Sequence, residues 1–115
     1  MPSPAYSLPN ASSAIIDIAK LRDYCLNPLH PEGRHKARVF ATALGIVRKD
    51  AEWLRTAILV AIQKAMVIYS ENTPFGCRYT VDIELKRENT MVMVRTAWII
   101  RIGEDVPRLV TCFVL

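Results

Sequence analysis

The sequence predicts an α+β fold, with about three N-terminal helices packed on one face of a four-stranded antiparallel β-meander. Three observations predict it. Apolar residues recur at helical spacing only up to Ala65, later segments are β-branched or alternate strictly, and turn-forming residues separate those later segments. Helices and strands segregated in this way bury both sets of apolar stripes most simply as a helical layer on a meander sheet. With 115 residues, of which 51% are hydrophobic and 23% charged, the chain has enough material for one core and not for two.

Met1 to Ser13 holds Pro2, Pro4 and Pro9 among serines and is expected to be a flexible leader, 1–13, ahead of a single domain, 14–115. In Ala14 to Leu26, Ile15, Ile18, Leu21, Cys25 and Leu26 fall close to helical spacing, and Asn27 with Pro28 ends the run, which fits a short first helix or a brief extended piece at Ile15 to Ile18 leading into one. Pro31 presets the start of a second helix, Glu32 to Leu44. Ala37, Phe40, Ala41 and Leu44 form its inner stripe, Arg34 and Arg38 make its outer side basic, and Gly45 terminates it. A third helix runs from Lys49 to about Lys64 with Asp50 and Glu52 in its first turn, where the helix dipole favours acidic groups. Trp53, Ala57, Leu59 and Val60 give it apolar surface on more than one side, which suits a homodimer contact. Met66 to Tyr69 then reads as a strand and Asn72 to Gly76 as a turn. Arg78 to Leu85 alternates, with Tyr79, Val81, Ile83 and Leu85 on one face. Thr90 to Ile102 and Arg108 to Val114 complete the sheet, joined through the tight turn Gly103 to Pro107.

The longest strongly apolar run, Ala57 to Ile62, is far short of the roughly 20 residues a membrane span needs. The N-terminal residues lack a secretory pattern, so cytoplasmic location is the expectation. Cys25, Cys77 and Cys112 are widely spaced, odd in number and without a CxxC pair, and are read as reduced, partly buried thiols. Zinc would require them to converge with His30 or His35, so neither a metal nor any other cofactor is expected. The carboxylates Asp82, Glu84, Glu104 and Asp105 read as solvated charge. A net charge of +4 favours an anionic partner without naming it. There is no GxSxG elbow, phosphate loop, GxGxxG or HExxH.

Two places could carry chemistry. Arg95 lies in a long strand near Trp98, where a phosphate or a base could rest, although pairing with Asp82 or Glu84 would serve the arginine equally well. His30, His35 and Lys36 cluster at a helix start, where backbone amides attract anions, although a histidine before proline commonly satisfies a turn.

KLRDYCLNPLHPEGRHKARVF from Lys20, FGCRYTVDIEL from Phe75 and VRTAWIIRIGEDVPRLVT from Val94 together resemble a bacterial family of small domains of unknown function. The resemblance covers most of residues 18 to 113 and follows the pattern LNPxHPxGxxKA, GxRY and VRTxWxIxxGxDxPRLVT. It departs at Arg34, where a second glycine is common, and at Val114, where a proline usually follows the aromatic residue. The resemblance implies a domain found both free-standing and as a module of polymorphic-toxin or phage-related proteins. It falls on His30, Lys36, Arg78, Arg95, Trp98, Arg108 and Thr111, among others.

Two functional readings follow. In the first, the domain is a metal-independent, ribonuclease-like enzyme. His30 is its acid or base, Lys36 and Arg95 neutralise the phosphate, Thr111 and Arg108 orient it, and Arg78 and Trp98 help to hold the RNA or other anionic ligand. This reading rests partly on a likeness of architecture to small toxin ribonucleases. In the alternative, the chain is a non-catalytic binding or antitoxin-like accessory module, joined to a cognate protein or to its own copy through the third helix and using its basic patch for an acidic ligand. Convergence of the five polar side chains would favour the first; local ion pairing of each would favour the second.

Overall fold

The computed structural model describes residues 6–115. Its first helix, α1, is the short α-helix Ile18–Lys20, which continues directly as a π-helical turn, Leu21–Cys25. The Asp17 carboxylate caps it by accepting the Ala19 N–H at 3.0 Å, and the Leu26 N–H closes the widened turn on the Leu21 carbonyl at 2.8 Å. Helix α2 is Arg34–Leu44 and ends at Gly45, whose φ of 67° is the left-handed cap that glycine adopts without strain. A 3-10 turn, Arg48–Asp50, leads into α3, Ala51–Ala61.

The second half is the expected meander: β1 Val67–Thr73, β2 Gly76–Arg87, β3 Thr90–Arg101 and β4 Arg108–Val114, antiparallel and in the order β1-β2-β3-β4. Register follows side-chain alternation. Val81 pairs with Thr96 and Ile83 with Val94, so Val81, Ile83, Leu85, Val94, Thr96 and Trp98 form the buried face against the helices. Leu21, Cys25, Phe40, Leu44, Leu54, Ile58 and Ile62 fill the core from the helical side.

Two details of the elements have simple causes. The turn anticipated at Asn72 to Gly76 shrinks to two residues, because the Thr73 hydroxyl donates to the Gly76 carbonyl at 2.8 Å and accepts the Phe75 N–H at 3.2 Å, letting both strands run on. Of the two readings of Ala14 to Leu26, the structure has the brief extended piece leading into a helix that begins at Ile18, because Ile15 pairs with the β4 edge: its N–H reaches the Pro107 carbonyl and its carbonyl takes the Leu109 N–H, both at 2.9 Å.

The leader expected over 1–13 is packed against the domain from Tyr6 onward, while Met1 to Ala5 lie outside the described residues. Ser7 bridges to Met66, the Tyr6 carbonyl takes the Val67 N–H at 2.9 Å, and Leu8 is only 2% exposed. Gln63 fixes the following turn by donating to the Ala11 carbonyl at 2.9 Å. The described part of the segment forms only the short 3-10 turn Ala11–Ser13, yet Leu8 and Ala11 supply apolar surface to the core. Among the described residues no helix is long and apolar enough to cross a membrane.

Candidate functional site

The side chains expected to form a phosphate site are mostly engaged within the fold. Arg95 makes a two-pronged ion pair with Asp82, Nε to Oδ1 at 2.8 Å and Nη2 to Oδ2 at 2.9 Å, as their direct cross-strand pairing allows. Arg108 pairs in the same manner with Glu104 at 3.1 and 3.2 Å, and holds that carboxyl below its usual range. Arg78 is exposed on β2, opposite Glu71 of β1. Trp98, expected on a ligand surface, is fully buried: its indole N–H donates to the Thr96 hydroxyl at 2.7 Å, and that hydroxyl donates to the Val81 carbonyl at 2.6 Å. The alternation of β3 puts Trp98 on the helix-facing side and Arg95 on the other, so the two cannot grip one ligand.

His30, Thr111 and Tyr24 do share a cleft, of about 490 Å³, with Asp17, Lys20, Asp23 and Glu32 around them. Beside it, Lys36 donates to the Tyr24 hydroxyl at 2.8 Å and lies over the Tyr24 ring. His30 Nδ1 accepts two backbone N–H groups, from Glu32 and Gly33, each at 3.0 Å. That nitrogen is therefore occupied as an acceptor, and using it for proton transfer would break both bonds. The set thus meets in part. His30, Tyr24, Thr111 and Lys36 are neighbours, whereas Arg78, Arg95, Trp98 and Arg108 each have other partners or surroundings.

Beneath this cleft lies a buried thiol pair that the sequence spacing does not announce. Cys112 donates to Cys25 with the two Sγ atoms 3.8 Å apart, and the Thr111 hydroxyl is also 3.8 Å from Cys25 Sγ. Hydrogen bonding from Cys112 draws the Cys25 thiol down to about 7, while the same bond, with burial, pushes Cys112 up.

A second cleft, of about 510 Å³, was not singled out by the sequence pattern as a unit. Leu26, Pro28, Ala37, Ala41 and Val47 give it apolar walls, and Arg34, Arg38, Arg48 and Lys49 line it with positive charge and no carboxylate. Arg34 and Arg38 stand one turn apart on α2, about 6 Å along the axis. The opposite wall is the 3-10 turn, where Arg48 is fixed by donating to the Arg22 carbonyl at 3.0 Å and to Asp23 at 2.8 Å. Hydrogen bonds from Arg22 and Arg48 hold the Asp23 carboxyl down to about 2. Arg34, Arg38 and Lys49 have no side-chain hydrogen bond or ion pair among the described residues. The legible signals were the i, i+4 pairs Arg34/Arg38 and Ala37/Ala41 and the doublet Arg48-Lys49; what was missing was their apposition.

On α3, Val60 is 66% exposed, but Trp53 is covered by the Arg87 guanidinium at 4.9 Å from its ring centroid. The apolar patch expected there for assembly is accordingly reduced.

Comparisons with curated proteins and with solved structures give no match to this chain. A family model does match, over residues 7–115, and it extends across the strap at Ser7 and Leu8 as well as the helices and the whole sheet. The chain belongs to the family described as domain of unknown function DUF6883.

Proposed function

We propose that this domain is a non-catalytic binding module that holds an anionic partner in the cleft between α2 and the Arg48–Asp50 turn. One observation carries the proposal: the cations of this cleft lack internal counter-ions at Arg34, Arg38 and Lys49, whereas Arg95 and Arg108, expected to meet phosphate, are neutralised by Asp82 and Glu104. Unpaired cations around a concave apolar surface attract and orient an anion.

The test is fluorescence anisotropy with a labelled RNA oligonucleotide and with labelled polyglutamate, over a range of salt. At least one probe binds at low salt and weakens as salt rises, and the double reversal R34E/R38E loses at least about tenfold in affinity. Absence of binding by both probes, or binding indifferent to the reversal, overturns the proposal.

The ribonuclease-like reading keeps one observation in its favour, the shared cleft of His30, Tyr24 and Thr111 with Lys36 alongside. The binding of His30 Nδ1 to two backbone amides weighs against it. Cleavage of the RNA by pure protein, abolished in H30A, would restore that reading.

A further inference from the structure

The basic cleft is more specific than its charge alone requires, and we infer that its partner is an acidic amphipathic helix of another protein. This rests on the anion-binding role proposed above and names the partner class. Three features of the cleft lead there.

First, the walls are aliphatic. Leu26, Pro28, Ala37, Ala41 and Val47 present no aromatic ring on which a nucleobase could stack, and base-aromatic stacking is the usual grip on single-stranded nucleic acid. Second, apolar surface continues to the outside: Val47 is 43% exposed, and Leu29, adjoining the lining residue Pro28, is 85% exposed. A bare inorganic anion would leave this surface wet, whereas a side chain from a partner helix covers it. Third, two elements supply cations to the same cleft, Arg34 and Arg38 from α2 and Arg48 and Lys49 from the stretch at the 3-10 turn, and the rest of the α2 lining is the small residues Ala37 and Ala41, over which a second helix can approach closely. An apolar centre ringed by polar groups is the usual anatomy of a protein interface, and a helix seated in such a groove is read by apolar anchors at i, i+3, i+4 and i+7. Glu or Asp residues flanking those anchors meet Arg34 and Arg38 on one side and Lys49 on the other.

The experiment uses the full chain and three labelled probes: a peptide with Leu at i, i+3, i+4 and i+7 between Glu-rich flanks, a peptide of the same composition with its leucines scrambled, and an RNA oligonucleotide. The patterned peptide binds about tenfold more tightly than the scrambled one and gains helical circular dichroism on binding. A41W fills the cleft and reduces that preference. Because Ala41 is exposed, the variant folds normally, which its unchanged melting temperature verifies. R38E, also at an exposed position, weakens both peptides and supplies a second handle should A41W misfold. Equal affinity for patterned and scrambled peptides, or tighter binding of RNA than of either, overturns the helix inference and leaves the anion-binding role standing. Failure of all three probes to bind overturns both.

Discussion

Replacing Thr96 with valine tests whether Trp98 belongs to the core or to a ligand surface. The Thr96 hydroxyl does two things in a site with no solvent access: it accepts the Trp98 indole N–H at 2.7 Å and donates to the Val81 carbonyl at 2.6 Å. Valine keeps the shape and loses both. The orphaned indole N–H costs about 1–3 kcal/mol, and the lost bond to Val81 about 1 kcal/mol more, so T96V is destabilised by roughly 2–4 kcal/mol. Against a typical domain stability of about 5–15 kcal/mol this is a large fraction, visible as a midpoint shift in urea denaturation. Trp98→Phe removes the donor itself, at the cost of a cavity. In that background T96V loses only the Val81 bond, so its cost falls to about 1 kcal/mol. A double-mutant cycle in urea, followed by far-UV circular dichroism, measures the coupling. Strictly additive costs, or a T96V penalty below about 0.5 kcal/mol, would refute the buried chain from indole to hydroxyl to carbonyl.

Three further outcomes are expected. Leu8→Ala removes a side chain that is 2% exposed and costs about 2–4 kcal/mol in chemical denaturation, whereas a mobile leader would make the substitution silent. His30→Ala orphans the Glu32 and Gly33 amides and costs about 1 kcal/mol, and His30→Asn recovers part of it because an amide oxygen can accept the same bonds, a recovery that a proton-transfer role would not show in any activity. The Asp23 carboxyl is depressed to about 2 from an ordinary 3.8, so its contribution to stability is complete above about 4 and is lost as pH falls toward 2; acid titration of D23N should lack that step.

The fold was legible because its elements carry their periods openly. Val81, Ile83 and Leu85 alternate with Asp82 and Glu84, and the cross-strand register puts their partners Thr96, Val94 and Val92 on the same face. Ala37, Phe40, Ala41 and Leu44 mark α2 with equal clarity, although the structure divides them, burying Ala37, Phe40 and Leu44 and leaving Ala41 exposed in the basic cleft. The strap at Leu8 was not legible, since a single apolar residue between prolines has no period to detect. Nor was the site. For Arg95 an anion and a cross-strand carboxylate stood as equal alternatives, because sequence cannot tell an arginine facing an anion from one facing Asp82 across a strand pair; only the register decides. Arg34 and Arg38 read only as the basic outer side of α2, because their meeting with Arg48 and Lys49 depends on how α2 and the 3-10 turn both pack on the π-helical turn Leu21–Cys25, which no local spacing encodes.

Polar residues between Asp23 and Gly33 build the cleft without entering it. Asn27 donates to the Asp23 carbonyl at 3.2 Å and accepts the Leu29 N–H at 3.0 Å, so its side chain closes the turn that carries Pro28. His30 closes the next turn through Glu32 and Gly33. Gly33 packs against the Tyr24 backbone carbonyl so closely that any Cβ there would collide with it, which brings the start of α2 down onto the π-helical turn Leu21–Cys25. Asp23 completes the arrangement by holding Arg48 on the far wall. Each of these groups serves the backbone or another side chain, and their joint effect is to set Arg34 and Arg38 facing a fixed turn across an apolar floor. Arg48, held by the Arg22 carbonyl and Asp23, has little conformational freedom left to lose on binding an anion, whereas Arg34 and Arg38 must be ordered by it. On the proposed binding role, the side chains of this loop act by preparing the surface in advance.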